Sequence, residues 1–332
     1  MKLSLLLLLL LLPISLLVGS VDLAPAEVWE VLSGRSPEDS TARFIIVKSR
    51  MPQMVTALLS GAALAVSGLV MQTLFLNPLA DPSLLGVHSG ASLGAAFALL
   101  ACGGSLMVGA LSLSGVLLTV SAAFLGACGV IALLSVCSTF LRSNLSLLVA
   151  GIMLSFALSA VIALLNFYAT ADGVHSFVIW GMGNFSGVPN RLLGLYAFLI
   201  LLPACGILCF SKSLNALLLG NEYASNLGIR IRRTRTILLL LTGFLTATVT
   251  ALCGPISFFG LAVPHMARTL THTTNHRKLL PACLILGADV ALLSLIITHL
   301  PGKGGTLPLA AITPLMGLPV VLYILLKPLH RT

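Results

Sequence analysis

The chain has 332 residues, of which 58% are hydrophobic and 8% charged, and its formal net charge is +9. A soluble globular protein carries about 25% charged residues, so this composition excludes an ordinary water-soluble domain and predicts a membrane protein. Aromatic residues make up 6% of the chain, which argues against an outer-membrane barrel with aromatic girdles.

The apolar segments show no period-two alternation, so we predict that they are helices. A span takes about 20 apolar residues, and the chain is long enough for roughly ten. We therefore predict one all-α, polytopic membrane domain over residues 1–332 with about ten transmembrane helices. They are placed at 3–19, 52–72, 85–107, 114–140, 145–168, 191–210, 236–252, 256–270, 281–298 and 308–326. A shorter surface helix is predicted near 174–184.

The first segment also has the pattern of a signal peptide, because Lys2 precedes a long leucine run. No small-x-small cleavage site follows the run directly. We expect this segment to be retained as the first helix.

The second and third spans carry small residues at helical spacing and a polar turn between them. Gly86, Gly90 and Gly94 form a GxxxGxxxG pattern, which allows close helix packing in lipid. The turn, NPLADP at 77–82, combines Asn-Pro and Asp-Pro pairs that favour a tight reversal.

Residues 212–235 separate two spans and are too polar to cross a membrane. Gly220 and Gly228 have the character of helix-ending glycines, so we predict two short helices followed by a basic cluster. The segment exceeds the usual connection length. It is either an ordinary positive loop or a docking element for a cytoplasmic partner.

The charges are divided unevenly between the two sides. With the amino terminus inside the cell, the inner loops hold twelve lysines and arginines and the outer loops hold six. This matches the positive-inside rule. The inner face therefore favours anionic membrane lipid or an acidic partner, and we do not interpret the charge as nucleic-acid binding.

Motifs for catalysis and for tightly bound cofactors are missing from the sequence. No GxxxxGK[ST] phosphate loop or HExxH is present. The seven cysteines form no CxxC pair, and they are interpreted as packing residues. His265, His272 and His276 lie at a basic helix end, where capping explains them more simply than a metal site. We therefore predict no enzyme activity, no metal and no cofactor.

Gradient-driven transport usually needs ionisable groups inside the membrane. Asp289 is the one acidic residue in the predicted spans, and it is either a proton-relay residue or a residue that bonds neighbouring helices. This scarcity favours ATP hydrolysis by a separate subunit.

Several strings resemble one known family in its own order. The most specific are Gln72-x-x-x-x-NPLADP-x-LLG and the GPI-x-F-x-GL-x-x-PH-x-x-R string at 254–268. Others are the W-G-x-G-N segment at 180–184, LLLGNEYASNLGIR at 217–230 and LPLAAITPLMGLPVVLYILL at 307–326. The chain is identified as a member of the permease subunits of cobalamin, haem and ferric-siderophore ABC importers.

The resemblance implies a type II importer permease fold, a homodimer and a path along its two-fold axis in the bacterial inner membrane. It implies ATP-binding subunits on the cytoplasmic side and a periplasmic or lipid-anchored substrate-binding protein outside. The residues implied for ATPase coupling are Leu217, Gly220, Asn221, Glu222, Ala224, Leu227 and Gly228. Those implied for the translocation path are Ser155, Ser159, Asn166 and Thr313.

The sequence departs from the family at its outer end. Gln53, Leu293 and Thr306 occupy positions where the family often has Arg, Arg and Glu. Arg50 and Lys303 are the candidates that are left for docking the binding protein.

From these observations we predict alternating-access uptake of an iron complex, either a ferric siderophore or haem. Cobalamin is the alternative cargo. A less favoured alternative is an ion-coupled secondary transporter that depends on Asp289. An intramembrane enzyme or a scaffold is the weakest alternative. The sequence does not identify the chelate.

Overall fold

The structure is a computed structural model that describes residues 2–37, 39–83, 85–108, 111–141, 143–301 and 305–326. It is almost entirely helical over these residues. The helices are α1 (Lys2–Leu17), α2 (Pro25–Leu32), α3 (Thr41–Ile45), α4 (Met51–Phe75), α5 (Val87–Ala96), α6 (Val116–Phe140), α7 (Asn144–Tyr168), α8 (Ala171–Gly181), α9 (Leu193–Cys209), α10 (Ser211–Leu217), α11 (Asn221–Asn226), α12 (Ile231–Cys253), α13 (Phe259–Thr271), α14 (His276–Thr298) and α15 (Leu309–Leu326).

Three helices form the centre of the bundle. Within their most apolar stretches, 72% of the residues are buried for the run that includes α4, 67% for α12 and 61% for α14. The corresponding figures are 33% for α6, 28% for α9 and 17% for α7. The helices α4, α12 and α14 therefore make the core, whereas α6, α7 and α9 present most of their apolar surface outward.

The second predicted span begins earlier than expected. A helical run extends without a break from Thr41 to Phe75, with a π-helical turn at Ile46–Arg50. Pro52 lies two residues past the end of this turn, in the first turn of α4. Proline lacks an N–H and its ring crowds the preceding turn of an α-helix, and the wider π-turn accommodates it. The prediction that the helix starts at 52 was wrong for this reason.

The third predicted span ends earlier than expected. The helix continues from α5 through a π-turn at Phe97–Ala101, and Gly103 and Gly104 then adopt positive φ. A short antiparallel hairpin follows, with β1 (Ser105–Val108) paired to β2 (Leu111–Ser114). The predicted helix to 107 was wrong because two left-handed glycines end it.

The number of spans is settled only in part. Within the described residues, six helices are long and apolar enough to cross a membrane, and three shorter ones are apolar. The total of ten stays a prediction. The surface helix predicted near 174–184 is present as α8, and the two short helices predicted within 212–235 are α10 and α11.

Candidate functional site

The helices α10 and α11, here called the short-helix pair, lie between α9 and α12. Leu214 and Leu217 of α10 and Ala224 of α11 are buried, so each helix is anchored to the bundle by an apolar side. Gly220, with φ of 101°, separates the two helices, and Gly228, with φ of 81°, follows the second. Both backbone conformations favour glycine.

Five of the seven coupling candidates fall into two groups, and the other two are the glycines Gly220 and Gly228 described above. Leu217 and Ala224 are buried anchors, whereas Asn221, Glu222 and Leu227 are exposed. Leu219 and Tyr223 are also exposed, at 64% and 51% of their surface. The sequence-based list left these two out, although the apolar spacing of Leu219, Tyr223 and Leu227 along one segment could have indicated them.

A basic cavity lies beside the short-helix pair. Its volume is about 920 Å³, and Arg230, Arg232 and Arg233 line it together with Ser225 and Gly228. The row of arginines continues into the first turn of α12, which begins at Ile231. This cavity, here called the basic groove, therefore combines positive charge with the exposed end of α11.

The two most specific strings of the sequence meet in space. Gln72 of α4 donates from Nε2 to the backbone oxygens of Gly260 at 3.1 Å and Leu261 at 3.3 Å. Its Oε1 accepts from Arg268 Nη1 at 2.6 Å. The Gln that precedes NPLADP thus holds both the GL pair and the final Arg of the second string on α13.

The NPLADP turn is held against the same helix. His265 Nε2–H donates to Pro78 O over 2.9 Å, which assigns the proton to Nε2. Asp81 is buried and accepts from Ser83 N at 2.8 Å, and its Oδ2 would lie 2.8 Å from a Cβ at Gly260. Burial raises the pKa of Asp81, and the hydrogen bonds from Ser83 oppose this shift.

The histidines at this end do not form a metal cluster. Over the described ranges, no group of three His, Cys, Asp or Glu side chains is arranged to hold a metal ion. His265 bonds to Pro78, whereas His276 bonds to Thr73 and Asn215.

The four candidates for the translocation path lie on two separate helices. Ser155, Ser159 and Asn166 are on α7, and Ser159 is exposed. Ser155 and Asn166 bond to carbonyls of their own helix, at 3.0 and 3.2 Å. Thr313 is buried on α15, which packs against α13 and α14, while α7 packs mainly against α5.

The glycines of the third span lie at close helix contacts. A Cβ at Gly90 would come 2.6 Å from Gly126 O, and one at Gly94 would come 2.0 Å from Ala122 O, both on α6. A Cβ at Gly86 would come 2.9 Å from Ser155 Oγ on α7.

The structure places the docking candidate Arg50 inside the protein. It is 5% exposed, and its guanidinium donates to the carbonyl oxygens of Leu16, Leu17 and Val21. Arg50 thus caps the carboxyl end of α1. A docking role stays a prediction that would require these bonds to break, and Lys303 lies outside the described residues.

Asp289 is buried in α14. Neither of its carboxylate oxygens has a hydrogen-bond partner among the residues that the structure describes.

Comparisons with known proteins agree with one another. A model of the FecCD transport family matches residues 6–327. The vitamin B12 import system permease protein BtuC of Escherichia coli O127:H6 is 36% identical over 318 residues, which covers 94% of this chain and 92% of the relative. That of Shigella sonnei is 38% identical over 282 residues, with 84% and 82% covered. A solved ABC transporter assigned to the metal-chelate type, in an inward-facing conformation, superposes with a TM-score of 0.84 at 30% identity, covering 98% of both chains.

Proposed function

We propose that this chain carries a metal chelate, since it belongs to the FecCD transport family and is an ABC importer permease of the bacterial inner membrane. Cobalamin is the first candidate, because relatives whose alignments cover 94% and 84% of this chain are vitamin B12 permeases. An iron complex, the first expectation from the sequence, is the second candidate, and the metal-chelate assignment of the solved relative supports keeping it.

The observation that carries the transport mechanism is the short-helix pair. It has a buried side that joins the bundle and an exposed apolar side formed by Leu219, Tyr223 and Leu227. Exposed apolar groups beside a basic groove are suited to a protein partner. We propose that this partner is the ATP-binding subunit, because this chain's sequence has no phosphate-binding loop of its own.

ATP hydrolysis then drives alternating access through these helices. Binding of nucleotide changes the relative position of the two ATP-binding subunits, and the short-helix pair transmits this displacement to the bundle. The path runs between two copies of the permease, with Ser155, Ser159 and Asn166 of each α7 facing it. The outward exposure of α7 supports this placement.

The decisive experiment reconstitutes the permease in liposomes with its ATP-binding subunit and its binding protein. Cyanocobalamin, a ferric siderophore and haem are then offered separately. We expect ATP-dependent uptake of cyanocobalamin and none with a non-hydrolysable ATP analogue. Selective uptake of an iron complex would make the iron complex the first candidate cargo and cobalamin the second.

The ion-coupled alternative makes the opposite prediction. It requires uptake under a proton gradient without nucleotide, and loss of that uptake in Asp289→Asn. For the ABC mechanism we expect Asp289→Asn to retain ATP-driven uptake. Transport by the permease alone, with no hydrolysis anywhere, would overturn the proposed function.

A further inference from the structure

A chain of hydrogen bonds links α10 to the core helices α14 and α4. Asn215 of α10 accepts at Oδ1 from the backbone N of His276 at 2.8 Å and from its Nδ1 at 2.9 Å. On the other side of the ring, His276 Nε2 lies 2.8 Å from Thr73 Oγ1 of α4. Thr73 and His276 are each 1% exposed.

The partners fix the direction of these bonds. Asn215 Nδ2 donates to Asn275 Oδ1 at 3.0 Å, and that oxygen also accepts from Arg277 N at 3.0 Å. Since the Asn215 amide must present its oxygen to the backbone N–H of His276, it also accepts from Nδ1–H. In the neutral imidazole Nε2 then carries no proton, so the one hydroxyl proton of Thr73 is donated to Nε2 at 2.8 Å rather than to Leu69 O, which lies 2.9 Å away in the same helix.

The chain ends where the two sequence strings meet. Thr73 is adjacent to Gln72, whose side chain holds Gly260, Leu261 and Arg268 of α13. Polar contacts therefore link α10 to α14 and α4 through Thr73, and the adjacent Gln72 links α4 to α13. Such bonds have narrow preferences in distance and angle, so they hold the register of helices in a way that apolar contacts alone do not.

We propose that Asn215, His276 and Thr73 are positioning residues that lock α10 to the end of α4, so that a displacement of the short-helix pair moves α4 with it. This inference rests on the proposed function, in which the ATP-binding subunit displaces that pair. None of the three residues belongs to the exposed docking side or to the candidate path.

The test compares substitutions at both ends of the chain with matched controls. Thr73→Val removes the hydroxyl and keeps the shape, while Thr73→Ser keeps the hydroxyl. Thr250→Val is the control, because Thr250 is a buried threonine like Thr73 but its hydroxyl donates inside its own helix, to Thr246 O at 2.8 Å. Asn215→Ala breaks the chain from α10, and Ser213→Ala on the same helix is its control.

The first readout is the number of chelate molecules moved per ATP hydrolysed, in the same liposomes. We expect this ratio to fall about three- to tenfold in Thr73→Val and Asn215→Ala, the size of effect that one lost hydrogen bond produces. Retention of the ATP-binding subunit on the permease should not change. Thr73→Ser and both controls should match the wild type.

A second readout does not depend on cargo. A spin label at Leu79→Cys, in the turn after α4, should report a nucleotide-dependent change in the assembled complex, and Asn215→Ala should abolish it. Asn215 lies half-buried near the surface, so this variant decides the result if Thr73→Val does not fold.

The outcomes separate the two proposals. A wild-type complex that moves no chelate with ATP refutes the proposed function. A wild type that transports, together with unchanged ratios and unchanged label spectra in Thr73→Val and Asn215→Ala, refutes the positioning role alone. An equal fall in Thr250→Val would also refute it.

Discussion

Single glycines determine how closely the central helices approach one another. A Cβ at Gly68 of α4 would lie 2.0 Å from Gly260 O of α13, and one at Gly61 would lie 2.1 Å from Gly287 O of α14. Neither contact leaves room for a side chain. Close backbone approach through small residues is how helices associate in lipid, and here it brings Gln72 within reach of α13.

We expect Gly68→Val to destabilise the permease by about 1–3 kcal/mol, because the new side chain overpacks a backbone contact. Thermal unfolding in detergent measures the effect. Gly129→Ala on α6 is the matched control, since a Cβ there meets no atom within 4 Å. That substitution should leave stability equal or slightly higher. An unchanged melting temperature in Gly68→Val would contradict the close contact between α4 and α13.

At the scale of elements, the short-helix pair has one side buried against the bundle and another side exposed. Leu214 and Leu217 turn towards the bundle, while Tyr223 and Leu227 are exposed. The helices have 7 and 6 residues, and helices this short are marginal on their own. Their stability therefore comes from packing against α14, α4 and α12.

We expect Tyr223→Ala and Leu227→Ala each to weaken binding of the ATP-binding subunit about tenfold or more, because exposed aromatic and apolar residues often dominate an interface. Affinity for the permease in lipid nanodiscs measures this. Trp29→Ala on α2 removes another exposed aromatic side chain, which is predicted to lie on the outer side, and should leave the affinity unchanged. Equal effects of all three substitutions would argue against docking on this pair.

At the scale of the whole molecule, α7 leaves most of its apolar surface uncovered within one chain. Only 17% of the most apolar stretch of α7 is buried. The permease fold is therefore expected to work as a pair, with each α7 turned towards the other copy.

A crosslinking experiment tests this pairing. In a chain whose native cysteines are replaced by alanine, Ser159→Cys on α7 should join two copies in membranes treated with a short bismaleimide. Phe198→Cys on α9 is equally open to reagent, at 57% exposed, and should give no such product. Crosslinking of Phe198→Cys in preference to Ser159→Cys would place the pair on a different face.

Sequence and tertiary structure determined different parts of this protein. Hydropathy is a local property, so composition and apolar runs sufficed to predict a helical membrane protein, the surface helix near 174–184 and the short helices within 212–235. The specific strings were enough to place the family. Helix ends were predicted less well, because the π-turn before Pro52 and the left-handed Gly103 and Gly104 depend on local geometry that hydropathy does not encode.

Only the packed chain decided what the polar residues do. Gln72 meets Gly260 and Arg268 across 188 and 196 residues of sequence, and Thr73 meets His276 across 203. Arg50 has the sequence pattern of an outer docking cation, yet it caps α1 because three carbonyl oxygens lie within its reach. Buried polar groups must find partners wherever the fold brings them, and that choice is made by the arrangement of whole helices rather than by neighbours along the chain.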